Sequence, residues 1–194
     1  MNKMSGLNDY LSSLNCFSSE QVKSISRLFK KQKIKKNEAL VNTGEIWNKV
    51  VFIEQGLLRL YYLTADGKEF NKGFFADNDL VWPMSPIARE KPSRFTVCSL
   101  ENCQLLVAPF NLFEILIKEM GKWPEFSLPF VENLLNLKIR REAQFLLNDA
   151  TSRYTQIQSE MDDYIERIPD YHIASYLGIT HIAFSRLKKS VKLT

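Results

Sequence analysis

The chain has 194 residues, 45% of them hydrophobic and 25% charged, with a net charge of +4. That is ordinary globular composition; it excludes a disordered or collagen-like chain and leaves room for one large domain or two small ones. The longest apolar stretches, such as Leu105–Phe110 and Phe113–Ile117, are far shorter than the roughly 20 residues of a membrane span, and Met1-Asn2-Lys3-Met4-Ser5-Gly6 lacks a signal-peptide core. A soluble, cytoplasmic protein with no membrane partner is expected. The three cysteines, Cys16, Cys98 and Cys103, are widely spaced and form no Cys-x-x-Cys, so they read as buried thiols rather than metal ligands.

In chain order, Ser18 or Ser19 opens a helix to about Lys31, with Val22, Ile25, Leu28 and Phe29 at helical spacing. The period then shortens. Ala39–Asn42, Val50–Glu54, Leu57–Leu63, Phe70–Phe75, Phe95–Ser99 and Gln104–Ala108 are β-rich runs divided by turn signals, of which Asp66-Gly67 is the clearest. The rhythm predicts an antiparallel β unit of at least seven strands, a sandwich or jelly roll. Past Pro109 it becomes helical: Asn111–Met120 is short, and a longer helix begins beyond Pro124, or only after Pro129, and ends near Leu147.

That longer helix has one stripe of Leu128, Val131, Leu135 and Lys138 and another of Phe130, Leu134, Leu137 and Arg141. Two apolar faces require two partners. One covers the β unit, and the other meets the same helix of a second chain; the plainer alternative is a single wide face buried within one monomer. Asn148-Asp149-Ala150-Thr151 forms a joint, and three helical patches follow: Ser152–Met161, Asp170–Leu177 and roughly Thr180–Lys189.

The final two patches carry the functional signal. Gly178 supplies a sharp turn between helices, Thr180 caps the second, and Ala174 is small enough for a close crossing. Ile173, Leu177, Ile179, Phe184 and Leu187 give the apolar contacts of a helix-turn-helix. From His181 onward there are four cations, Arg186, Lys188, Lys189 and Lys192, and no acid. Such a helix neutralises phosphates and offers donors to base edges. A solvated basic helix end is the plainer reading, since it also suits the helix dipole.

These residues, with Asp170-Tyr-His-Ile-Ala-Ser-Tyr-Leu-Gly-Ile-Thr as their core, resemble the Crp/Fnr family of bacterial transcription regulators over nearly the whole length, in a short, wingless form. The resemblance implies an α+β fold: a cyclic nucleotide-binding-like antiparallel β-roll over 1–121, a central dimerisation helix over 122–148, and a helix-turn-helix over 149–194. It also implies double-stranded DNA, a second copy of the chain and RNA polymerase as partners. The base-reading places of the family fall on His181, Ile182 and Arg186, and Thr180, Ser185, Lys188 and Lys189 complete the DNA-facing set. Arg186 keeps a guanine-reading arginine; Ile182 replaces a glutamate and cannot accept from cytosine, so a different operator is expected.

By the same resemblance, the ribose-binding Gly-Glu of cyclic-nucleotide members falls on Trp82-Pro83, and the phosphate-binding arginine falls on Ser93. Pro83 has neither carboxylate nor amide proton, Trp82 adds bulk, and Ser93 lacks a guanidinium fork. Cyclic AMP binding in the family's manner is therefore not expected. A pocket lined by Trp82, Pro83, Met84, Ser85 and Ser93 would take an apolar or other effector, unless Trp82 and Met84 merely fill the roll. Arg89 sits in a loop within reach of it, and Arg94, if on a strand, points to the opposite face. No cofactor or metal is expected: His172 and His181 are the only histidines, both in the terminal helices, and no strand carries a ligand cluster. No catalytic motif is present. The alternative function is a sensory or scaffolding module whose helical tail binds another protein.

Overall fold

In the computed structural model, which describes residues 6–191, two short helices, α1 (Leu7–Ser13) and α2 (Ser19–Ser26), precede the strands. These are β1 (Lys30–Ile34), β2 (Ala39–Val41), β3 (Lys49–Gln55), β4 (Leu58–Leu63), β5 (Glu69–Phe75), β6 (Leu80–Val81), β7 (Thr96–Ser99) and β8 (Cys103–Pro109), with helix α3 (Pro86–Glu90) between β6 and β7. Then come α4 (Phe110–Glu119), α5 (Trp123–Leu147), α6 (Ala150–Glu160), a 3-10 turn at Ile165–Arg167, α7 (Asp170–Leu177) and α8 (His181–Val191). None of the described helices is long and apolar enough to cross a membrane. Lys192 and Thr194 lie outside the described residues.

The strands form two four-stranded antiparallel sheets, ordered β1-β8-β3-β6 and β2-β7-β4-β5. Period-2 alternation explains why β3 is buried on both faces. Its Val51 and Ile53 meet Leu58, Leu60 and Val97 between the sheets, while Val50 and Phe52 face a second cluster with Val22, Ile25, Phe113 and Ile117 of the flanking helices. The Asp66-Gly67 turn closes as expected, with Thr64 accepting from Gly67 and exchanging with Lys68.

The expectations fail at the N-terminus. The helix expected from Ser18 or Ser19 to Lys31, α2, stops at Ser26, and Lys30–Ile34 is instead a strand in register with β8, Lys30 opposite Val107 and Ile34 opposite Cys103. Leu28 and Phe29 still reach the helix-side core, so their spacing reported burial rather than helix. The helix start is as expected: Ser18 accepts from the Gln21 amide and the Gln21 side chain accepts from Ser18 N, a reciprocal cap. Cys98 and Cys103 are buried, but Cys16 is only half so. The central helix continues through Pro129, which forgoes one backbone bond; packing of Phe126 and Phe130 on the core offsets that loss.

The C-terminal helices share one apolar cluster with the roll. Tyr154, Ile157, Ile173, Leu177, Phe184 and Leu187 pack with Leu57, Phe74, Ala76 and Leu100 of the β unit. Tyr154 meets Phe184 edge to face, centroids 5.0 Å apart. α7 lies along β5, where Ser175 Oγ accepts from Asn71 N and donates to the Glu69 carbonyl, both at 3.0 Å. Arg167 clamps the same interface, its guanidinium reaching Asp77 and Glu101 of the roll.

At the crossing of α7 and α8, Gly178 has φ of 72° and follows the helix with Ile179 N donating to Ala174 O. A Cβ there would sit 2.9 Å from Phe145 Cε1 at the end of α5. Gly178→Ala is therefore expected to destabilise the protein by roughly 1–2 kcal/mol from backbone strain alone, with a further loss that Phe145→Leu partly restores. Urea denaturation of the two variants checks both.

Candidate nucleic-acid interface and effector cavity

Helix α8 is built with one face in and one face out. Phe184 and Leu187 are buried, whereas His181, Ile182, Ser185, Arg186 and Lys189 are exposed. Positions i, i+1, i+4, i+5 and i+8 share one side of a helix, so these five form a single outward stripe. Thr180 Oγ1 accepts from Ala183 N at 3.2 Å and caps the helix, as the sequence predicts. Ile182 is 67% exposed, an apolar group at the centre of that stripe. Arg186 and Lys189 have no ion-pair partner among the described residues. Lys188 differs: its ammonium donates to Asp170 Oδ1 at 2.8 Å, bracing α8 against the start of α7. The adjacent acids Asp162 and Asp163 face solvent.

The orientation of this unit is set by a buried polar cluster. Arg59, 7% exposed, pairs with Glu69 Oε2 at 2.6 Å and lies 3.9 Å from the Tyr61 ring centroid. His172 reaches in from α7, its Nδ1 3.2 Å from Asn71 Nδ2 and 3.4 Å from Arg59 Nη1. Both neighbours are donors, so Nδ1 is the unprotonated, accepting nitrogen. Burial, followed by the Arg59 charge, pushes the His172 pKa down to about 4.

A cavity of about 500 Å³ opens between the roll and α5, within the range of ligand sites. Trp82, Pro83, Met84, Ser85, Ser93 and Arg94 all line it. Arg94 does not point away: the chain there is not yet strand, because β7 begins at Thr96. Arg89 is absent from the lining. It donates to the Pro83 and Met84 carbonyls and pairs with Glu114 at 3.1 Å, bolting α3 to α4. Ser85 caps α3 by accepting from Ala88 N. Ser93 Oγ donates to Phe95 O at 2.6 Å and its amide donates to Glu45 O at 2.7 Å, so both of its donors are engaged within the chain.

Trp82 is only 2% exposed and sits among Phe110, Trp123, Phe126 and Phe130, with ring centroids 5.6–6.0 Å away. It fills core and borders the cavity at once. The charged lining includes residues that sequence reading does not place there. Lys72 of β5 and Lys138 of α5 both border the space. Burial and the Lys138 charge push Lys72 down to about 8, and desolvation followed by the Arg141 charge lowers Lys138. Asp79 is raised to about 6 by burial.

The docking cluster has a pH signature. Between about pH 6.5 and about 4 the unfolded chain binds a proton that folded His172 refuses, so stability falls as pH falls through that window. Asp79, raised to about 6, acts in the opposite sense. Comparison with His172→Asn isolates the histidine: the wild type is expected to lose about 1–2 kcal/mol more than the variant between pH 7 and pH 5. Thermal unfolding at the two pH values measures it, and equal losses would contradict this account.

Residues 31–120 match the family model of the cyclic nucleotide-binding domain. No curated protein matches the chain in sequence. Among solved structures, a putative transcriptional regulator of the Crp/Fnr family from Eubacterium rectale is similar at TM-score 0.73 and 17% identity, over 95% of this chain and 88% of that one. The c-di-GMP responsive global regulator CLP of Xanthomonas campestris is similar at TM-score 0.70 and 12% identity, over 91% and 92%. A CooA mutant from Carboxydothermus hydrogenoformans follows at 0.65 and 23% identity, over 87% and 78%. Residues 31–120 thus resemble the cyclic nucleotide-binding domain in sequence, and the chain as a whole shares the fold of the solved Crp/Fnr-type structures.

Proposed function

We propose that the protein is a dimeric, DNA-binding transcription regulator whose β-roll answers to an effector other than cyclic AMP bound in the usual cradle. The observation that carries this reading is the outward stripe of α8, where Arg186 and Lys189 have no ion-pair partner among the described residues while Phe184 and Leu187 hold the helix from behind. Unpaired cations on a rigid helix suit the major groove, where they meet phosphates and guanine edges. Ile182, beside them, suits a thymine methyl group. Regulation through RNA polymerase belongs to the same reading.

The α5 surface supports the dimer. Leu128, Val131, Leu135 and Ile139 are exposed along one side, Leu135 at 57%, in the manner of a helix seam awaiting its counterpart. Two chains joined there would present two α8 helices to half-sites about 34 Å apart. The competing reading, a tail that binds protein, does not need cations without partners.

A gel shift against genomic fragments separates the two readings, because phosphate binding weakens steeply with salt. Arg186→Ala is expected to flatten sequence preference, costing about 1–3 kcal/mol at the best site, whereas Lys189→Ala weakens all sequences alike and lowers the salt slope by about 1. Identical preference profiles for wild type and Arg186→Ala would refute the assignment. Leu135→Lys is expected to turn a dimer into a monomer in sedimentation velocity without loss of helical content.

A further inference from the structure

We propose that the cavity between β5 and α5 binds an aromatic carboxylate, its anionic group held jointly by Lys72 and Lys138, and that Arg141 passes its presence to the helix-turn-helix. The inference rests on the regulator reading for its consequence, though not for the binding itself.

The charge balance of the cavity is the first observation. Of the carboxylates on its wall, Glu160 is engaged by Arg140 at 3.7 Å and by Gln156, and Asp79 Oδ2 accepts from Ala76 N at 2.7 Å. Neither serves Lys72 or Lys138. Among the described residues Lys72 forms no ion pair, and its ammonium lies 3.9 Å from the Phe95 centroid and 5.8 Å from that of Tyr62. Two like charges brought together and left without a counter-ion cost free energy, and an anion between them removes that cost.

The walls define the rest of the ligand. Trp47, Tyr62, Phe75, Trp82 and Phe95 contribute rings, and Leu134 and Leu137 close the α5 side. A flat apolar body is favoured there. A cyclic nucleotide is poorly served, since Ser93 spends both its donors inside the chain and position 83 is proline. Lysines act as point charges, and two of them suit a single carboxylate group.

Arg141 supplies the link. It lines the cavity, yet its Nη2 donates to the Tyr176 carbonyl at 2.9 Å, near the end of α7, and its guanidinium stacks 3.8 Å from the Tyr176 centroid. The other terminal nitrogen, Nη1, is buried with no partner. An anion drawn toward Lys138, one helical turn away on α5, offers that nitrogen an acceptor and shifts a side chain already bonded to the DNA-reading unit.

The test uses the full chain, with 2-naphthoate, its neutral counterpart 2-naphthamide, and cyclic AMP titrated by calorimetry and by quenching of tryptophan fluorescence. Naphthoate is expected to bind at least tenfold more tightly than the amide and than cyclic AMP, with the preference reduced to within twofold in Lys72→Met and in Lys138→Met. Circular dichroism confirms that both variants fold. Equal binding of acid and amide, tightest binding of cyclic AMP, binding of none, or a carboxylate preference that survives both substitutions would overturn the proposal. For the link, naphthoate is expected to change wild-type DNA affinity at least threefold and to leave Arg141→Gln unmoved while still binding it; an equal effect in both would remove Arg141 from the role. If the chain proves not to bind DNA, the titrations still decide the cavity.

Discussion

The packing of Trp82 ties the two halves of the architecture together. Its ring stacks nearly parallel to Phe110 and meets Trp123, Phe126 and Phe130 at steeper angles. The β-sandwich and the base of α5 thereby share one packed core, and α5 takes its position from that contact. Interiors pack close to crystal density and transmit displacement instead of absorbing it. One residue thus anchors the helix α5 and borders the cavity beside it.

From that anchor the chain builds outward through polar joints of unequal depth. Arg59, Asn71 and His172 are buried, and their mutual hydrogen bonds specify how α7 sits on β5. Arg167 with Asp77 and Glu101 is partly exposed and adds less in salt. The apolar cluster beneath, from Leu57 and Phe74 to Ile173 and Leu177, supplies attachment; the polar cluster supplies direction. A buried pair with one member removed is costly, because the remaining group has neither water nor partner.

Much of this was legible in the residues. β3, β4 and β8 announce themselves as Val-, Ile- and Leu-rich runs, and Gly178, Thr180 and Phe184 mark the helical crossing. β1 does not, because Lys30, Lys31 and Lys33 make it polar and only its pairing with β8 renders it a strand. α1 rests on just two buried leucines, Leu7 and Leu11. In the cavity, Trp82, Pro83 and Ser93 are found through resemblance, but Lys72 is not, since a lysine on a strand reads as solvated. Lys138 and Arg141 left one faint trace: each interrupts an otherwise apolar stripe of α5. Arg89 misled: it lies on the short helix α3 and not in a loop, and its guanidinium is taken up by the Pro83 and Met84 carbonyls.

The way α7 lies along β5 has a consequence for any rearrangement. β5 ends its sheet, and the hydrogen-bonding groups on its outer side are served by Ser175 and Arg141 in place of a ninth strand. Swinging the α7–α8 unit away would bare that margin of backbone, which invites strand addition from another molecule. β1, at the margin of the other sheet, is guarded by its lysines; β5 has only Lys72 and depends on its helical cover. The protein can therefore tilt this unit more safely than it can release it.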